Sequence, residues 1–491
     1  PVFQLVADGH DRLAVRTRNE VLLVEGDAVV ARHAADWYPA LAPASAGGFW
    51  VGGADAVVRL EREGSTWVER ERIPTTATTV VHEDREGSLW VGSREAGISQ
   101  ARAGWLWNVG AHEGLGGSAV FATYIDAAGV VWLTTTGGLA RIADGRLTTW
   151  AVGQDIPVFG LRHLAGAPDG RLWLVSDHAG LVLFEGGRWK PLGLKDPAPG
   201  RSLGVIGVDL EGALWVATSQ GLWRYAGGDT DRPPTRFGPA EGACAGDMRA
   251  FEARRPGRVF FAGEAEGVTF IEGGRARCLR PADGLPGTGH VAGLYDAPEG
   301  DLWLGVRPAG LARLRDGRFE HVAQNAGLPD DILSGILGDG RGHLWLSTAQ
   351  HGIARIALAD YDAVVAGRTP RLWVDTIGAR DGLASQVMMT WFEPPLALDH
   401  RGRLWAPMQR GVAVVLPPEE QPQPRTHVRV EDVVVDGRQL RVEALGALGP
   451  GPTNLAVRLG APSFVDPERL VVEHRLGGLE TTWTETRART A

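Results

Sequence analysis

A short apolar run, bounded by a turn on each side, recurs along this chain. In "DREGSLWVGSREAGISQ", Asp84 to Gln100, an Asp-x-x-Gly turn leads into Leu-Trp-Val-Gly, then a polar turn ending in glycine, then a second apolar stretch. Aligned on the tryptophan, the same order returns at Trp50, Trp132, Trp173, Trp215, Trp303, Trp345 and Trp405, and in weaker form at Phe260 and Ala14. These ten copies stand 36 to 45 residues apart, with a last gap of 60. Stretches such as "ILSGILGD", Ile332 to Asp339, precede the turn, and others such as "GRFEHV", Gly317 to Val322, close the copy. The pattern predicts four short strands per copy, with glycine where a turn needs positive φ. No helical periodicity longer than two turns intervenes. A four-stranded unit of this period predicts an all-β protein of β-propeller repeats, because radial repetition leaves few exposed strand edges.

A tryptophan fixed at one frame position serves what every copy shares, which is packing between neighbouring blades. Binding residues should instead sit on loops that change from copy to copy.

Ten blades exceed the usual single ring. The tenth copy runs into "PPEEQPQP", Pro417 to Pro424, with no outer strand of its own; proline there cannot extend a ladder and reads as a linker. "GWLWNV", Gly104 to Val109, precedes the fourth copy and is placed to supply that strand. The expected partition is a partial N-terminal propeller of three blades over 1–103, a seven-bladed propeller over 104–417, a linker over 418–426 and a truncated β-sandwich over 427–491.

Composition narrows the function. Net charge is −9 with no basic block, which argues against a general nucleic-acid binder. No run of eighteen apolar residues exists, so no segment reads as a membrane-spanning helix. The two cysteines, Cys244 and Cys278, read as buried free thiols, with a bridge as the alternative. The chain starts at Pro1 in an apparent inner strand, as expected of a piece of a longer protein.

The common nucleophile, phosphate-loop and metal signatures are absent from the sequence, and no cofactor is expected. "REGSTW", Arg62 to Trp67, echoes the tail of a sialidase Asp-box with Arg62 at the aspartate position. Variable loops between second and third strands carry Arg94, Glu95, Asp177, His178, Gln220, Glu264, Glu266, Arg307, Gln350, His351 and Arg410; loops entering first strands add Arg249, His290 and Asp331. Of these, Asp177, His178, Arg249, Glu264, His290, Arg307, Gln350, His351 and Arg410 form the candidate binding set, together with Trp391, an aromatic outside the shared frame. Such amides, carboxylates, imidazoles and guanidiniums on one rim suit a hydroxyl-rich solute such as an oligosaccharide. Glu264 and Glu266 motivate a competing reading as a polysaccharide hydrolase or lyase; a protein-interaction scaffold is the third.

"DGLPGTGHVAGLYDAPEGDLWLGVRPAGLARLRDGRFEHV", Asp283 to Val322, and "AGLPDDILSGILGDGRGHLWLSTAQHGIARI", Ala326 to Ile356, resemble the two-component regulator propeller repeat. "RLVVEHRLGGLETTWTETRARTA", Arg469 to Ala491, is similar to the start of the tyrosine-rich β-sandwich module that follows those propellers, with His474 where the family has tyrosine. The resemblance implies a non-catalytic periplasmic sensor region of a bacterial membrane receptor, homodimeric at full length and tied to the membrane only through later segments. Its signal, often a carbohydrate in gut-bacterial relatives, would pass to a cytoplasmic kinase or nucleotide cyclase.

Overall fold

The computed structural model describes residues 2–34, 40–102, 104–177, 179–194, 203–389, 394–421, 428–440, 454–461, 463, 471–478, 481 and 483–487. The chain divides into two compact units, one of Trp105–Gln421 and one of Pro1–Gly104 with Pro422–Ala491.

In the larger unit seven four-stranded antiparallel sheets follow one another. The first six take their strands in chain order, starting at Val120–Ile125, Leu161–Gly166, Leu203–Val208, Gly246–Arg255, Val291–Asp296 and Leu333–Gly338. The seventh is built from Ala397–Leu398, Leu404–Met408 and Gly411–Val415, and its outer strand is Leu106–Val109 from the start of the unit. The register runs from Leu106 opposite Val415 to Val109 opposite Val412. Buried clusters join each sheet to the next, and one of them packs Val120 and Leu133 of the first sheet, with Leu115 from the loop before it, against Trp405, Val412 and Val414 of the seventh. The ring is therefore a closed β-propeller of seven blades.

The repeat's fixed residues form one device. In the first blade Asp126 accepts backbone N–H groups of Ala128 (3.0 Å) and Val130 (2.9 Å) on one oxygen and the Trp132 indole (3.2 Å) on the other. Asp209 does the same for Ala213 and Trp215, and Asp399 for Arg401, Arg403 and Trp405. The third-strand arginine stands across the ladder from the tryptophan and covers its ring: Arg141 over Trp132, Arg224 over Trp215, Arg313 over Trp303 and Arg355 over Trp345, at 5.2 to 5.8 Å. The tryptophans are bricks, buried down to 0% exposure at Trp303. The glycine that opens each third strand is equally structural. At Gly310 and Gly411 φ is near +90°, and a Cβ would strike the outer strand's carbonyl, that of Val322 or Val109.

In the second and fifth blades alanine, Ala167 or Ala297, stands at the aspartate position, and the indoles of Trp173 and Trp303 are buried with no hydrogen-bond partner among the described residues. Asp209→Ala should thus cost about 2 kcal/mol, because it strands the buried Ala213 N–H and Trp215 indole. Urea denaturation measures this; an unchanged midpoint would make the carboxylate as dispensable here as at Ala167.

The cysteine expectation is corrected: Cys244 and Cys278 are bridged. Cys244 lies in the loop entering the fourth blade, its N–H donating to Thr269 Oγ1 (2.9 Å), and Thr269 stands opposite Cys278 on the outer strand. The outer strand therefore brings the second thiol onto the loop.

In the smaller unit Gln4–Ala34 and Ala40–Pro74 each hold a four-stranded sheet, whereas the third copy has three strands, Thr78–Glu83, Leu89–Ser93 and Gly97–Ala101. Its C-terminal part has a three-stranded sheet, Arg438–Leu440, Arg429–Val435 and Leu455–Gly460, and a hairpin of Val471–His474 with Thr484–Arg487.

Candidate ligand-binding site

Strands that alternate up and down place every second-to-third-strand turn and every connection between blades on the same end of the ring. The described candidate residues of the larger unit lie on that rim. His178 and Trp391 fall outside the described residues.

Several rim residues hold their own blade together. Asp177 receives Arg162 Nε at 2.6 Å. Asp330, 7% exposed, accepts Gln350 N–H at 3.3 Å, and His351 Nδ1 lies 3.3 Å from the same oxygen. Burial opposes its ionisation, but the Ile332 N–H and the His351 imidazole outweigh that and hold the carboxyl below its ordinary range. Glu266 pairs with Arg280 at 3.0 Å, which lowers its carboxyl as well. Glu264 is exposed, across the ladder from Asp247. His290 is exposed and its carbonyl accepts the Arg307 N–H, while Arg249 and Arg307 are half-buried and Arg410 is exposed.

Two rim guanidiniums from different blades act on one buried group. His163, on the innermost strand of the second blade, is 6% exposed, and burial lowers its pKa to about 3, with Arg162 and Arg249 adding to the effect.

The opposite end holds residues that sequence reasoning missed. The innermost strands surround an axis that widens into a pit of about 250 Å³, lined by Tyr124, Leu164, Ile206, Phe251, Glu252 and Arg254 among others. The position opposite the anchor is Tyr124, Ala165, Gly207, Glu252, Tyr295, Leu337 and Ala397 in blade order. A carboxylate at one place in an otherwise uncharged series was the available signal. Glu252 is 6% exposed and accepts the Arg254 N–H (3.0 Å) and Arg254 Nε (3.1 Å). Burial raises its carboxyl above the ordinary 4.5, against the pull of Arg254.

A carboxyl raised on folding is costly when ionised, so its contribution is best below 4.5 and declines as pH climbs through the raised value. Glu252→Gln should remove that decline. Urea midpoints across this pH window test it, and identical slopes in the two chains would refute the direction.

The chain matches no family model and no curated protein sequence. Among solved structures it is similar to the extracellular domain of the hybrid two component system BT3049 from B. thetaiotaomicron, with TM-score 0.70 and 14% identity over 99% of this chain and 67% of that one. The extracellular domain of BT4673 from the same organism matches with TM-score 0.52 and 14% identity over 99% of this chain and 69% of that one. At this identity the likeness establishes a shared fold, the repeated β-propeller architecture, along nearly the whole chain.

Proposed function

We propose that this chain is the extracytoplasmic ligand-sensing region of a bacterial membrane signalling receptor, without catalysis of its own. The supporting observation is the fold shared over 99% of the chain with an extracellular domain of a two-component system. The repeat resemblance and the similarity of Arg469 to Ala491 to the start of a tyrosine-rich module agree with it. On this reading the first three copies belong to a second ring, and dimerisation, membrane attachment and a kinase or cyclase output belong to the full-length receptor. The buried Cys244–Cys278 bridge favours an oxidising compartment, the periplasm.

The ligand on this reading is a soluble glycan or similar polar solute, met by the rim around Arg249, His290 and Arg307. Calorimetry against an oligosaccharide panel, with product analysis of the same mixtures, tests both halves. Binding without turnover is expected. The competing hydrolase or lyase reading rests on the exposed Glu264, since Glu266 is engaged by Arg280. Product formation that Glu264→Gln abolishes would replace the sensor with that enzyme.

A further inference from the structure

The seams between blades are not filled alike. Between the first and second blades, Trp132 meets Phe184 at 5.8 Å, and Phe184 in turn packs on Trp189 at 4.5 Å. Phe184 and Trp189 face each other across the third and fourth strands of the second blade. The same frame positions in the first blade are Ile142 and Leu147, also paired. They face Trp405 of the seventh blade, so two aromatics are replaced by two aliphatics where the ring closes. A groove of about 940 Å³ lies at the outer part of that seam.

The groove's walls carry a defined chemistry. Trp107, on the closing strand, lines it with 46% of its surface exposed. Arg401, Arg403 and His400 stand around it with Glu113 and Asp144, while the Arg141 guanidinium is turned to the other face of its blade, over Trp132. Arg403 is committed to Asp399 at 2.6 Å, and Glu113 is tied back to the Gly110 N–H at 2.8 Å. A half-exposed indole and an exposed guanidinium lining one groove suit a ring that bears a carboxylate, by stacking and by charge-assisted hydrogen bonds.

We propose that this seam is a binding site for a small ring carboxylate, its ring on Trp107 and its carboxylate toward Arg401. The inference rests on the ligand-sensing reading and gives it a second place and a ligand class. Ligand held there joins the closing strand to the first and seventh blades, so binding also stabilises ring closure. A uronic-acid saccharide and an aromatic acid share the required chemistry.

The test titrates the full chain with digalacturonate, with phenylacetate and with neutral cellobiose, by calorimetry and thermal melting. One of the two carboxylates should bind and raise the melting temperature, and which one does identifies the source. Arg401→Ala, at an exposed position, should weaken binding at least about tenfold, as expected of a charge-assisted contact. Ile142→Phe with Leu147→Trp, which copies the second blade's filling, should abolish it. If the filled variant fails to fold, Arg401→Ala decides alone. Failure of both carboxylates to bind, or binding that Arg401→Ala leaves unchanged, overturns the site. Cellobiose binding that His290→Ala removes and Arg401→Ala leaves intact would preserve the sensing reading while the seam site falls.

Discussion

Replacing Cys244 and Cys278 together with alanine is expected to destabilise the larger unit by about 4 kcal/mol. The bridge closes a loop between residues 34 apart in sequence, and constraining such a loop in the unfolded chain accounts for that magnitude. Alanine is the right substitute because both sulfurs sit in an apolar cluster with Phe237, Met248 and Phe261, where serine would add an unpaired hydroxyl. The two cysteines are 2% and 7% exposed, so a reductant should act only as the blade opens. Wild type melted with reductant should therefore approach the double variant, while native protein resists thiol labelling. Two reactive thiols in the denatured, unreduced chain, or a shift in stability below about 1 kcal/mol, would refute the bridge's role.

The cysteine pairing shows where local reading stops. Spacing along the chain says nothing of an outer strand that returns beside the loop opening its own blade. What could be read was whatever a single copy contains: strand lengths, positive-φ glycines, and a tryptophan too regular to be a ligand platform. The partners of that tryptophan were also within one copy, the aspartate six residues before it and the third-strand arginine, yet only three-dimensional register shows that both converge on the indole. The outer strand missing from the third copy follows from the same reading, since the segment after its third strand, Leu106 to Val109, is assigned to the closing blade and pairs there.

The candidate site divides the same way. Variation between copies pointed to the rim, and the rim of the larger unit carries those of the candidate residues that are described. Variation alone could not separate groups that bind a ligand from groups that bind their own blade, as Asp177 does with Arg162 and His351 with Asp330. Glu252 was missed for a different reason. Its burial comes from seven strands closing around an axis, a property of the ring that no repeat possesses alone. The open seam beside Trp107 likewise depends on which blades become neighbours at closure.

That closure carries the largest predicted effect. A chain beginning at Gly110 lacks the strand Leu106–Val109, and a chain beginning at Gly104 retains it. Without the strand the seventh blade has three strands, Val412 to Val415 lose the partner on their outer side, and Trp105 and Leu106 no longer cover the cluster around Leu404 and Val415. Asn108 is lost too; its side chain donates to Gly382 O at 2.8 Å and accepts the Ala384 N–H at 3.0 Å, fastening the strand to the loop entering the seventh blade. Four ladder positions at roughly 0.5–1.5 kcal/mol per hydrogen bond, with the apolar area uncovered, sum to about 5 kcal/mol. For a unit of this size that corresponds to melting about 10 °C lower. Hydrogen exchange localises the effect: amides of Val412 and Val414, which face the closing strand, should lose protection in the shorter chain, whereas those of Leu302 to Val306 in the fifth blade should keep it. Equal melting of the two chains with intact protection at Val412 and Val414 would mean that three strands suffice for the seventh blade. The closing strand would then contribute the Trp107 wall of the seam and nothing to the stability of the ring.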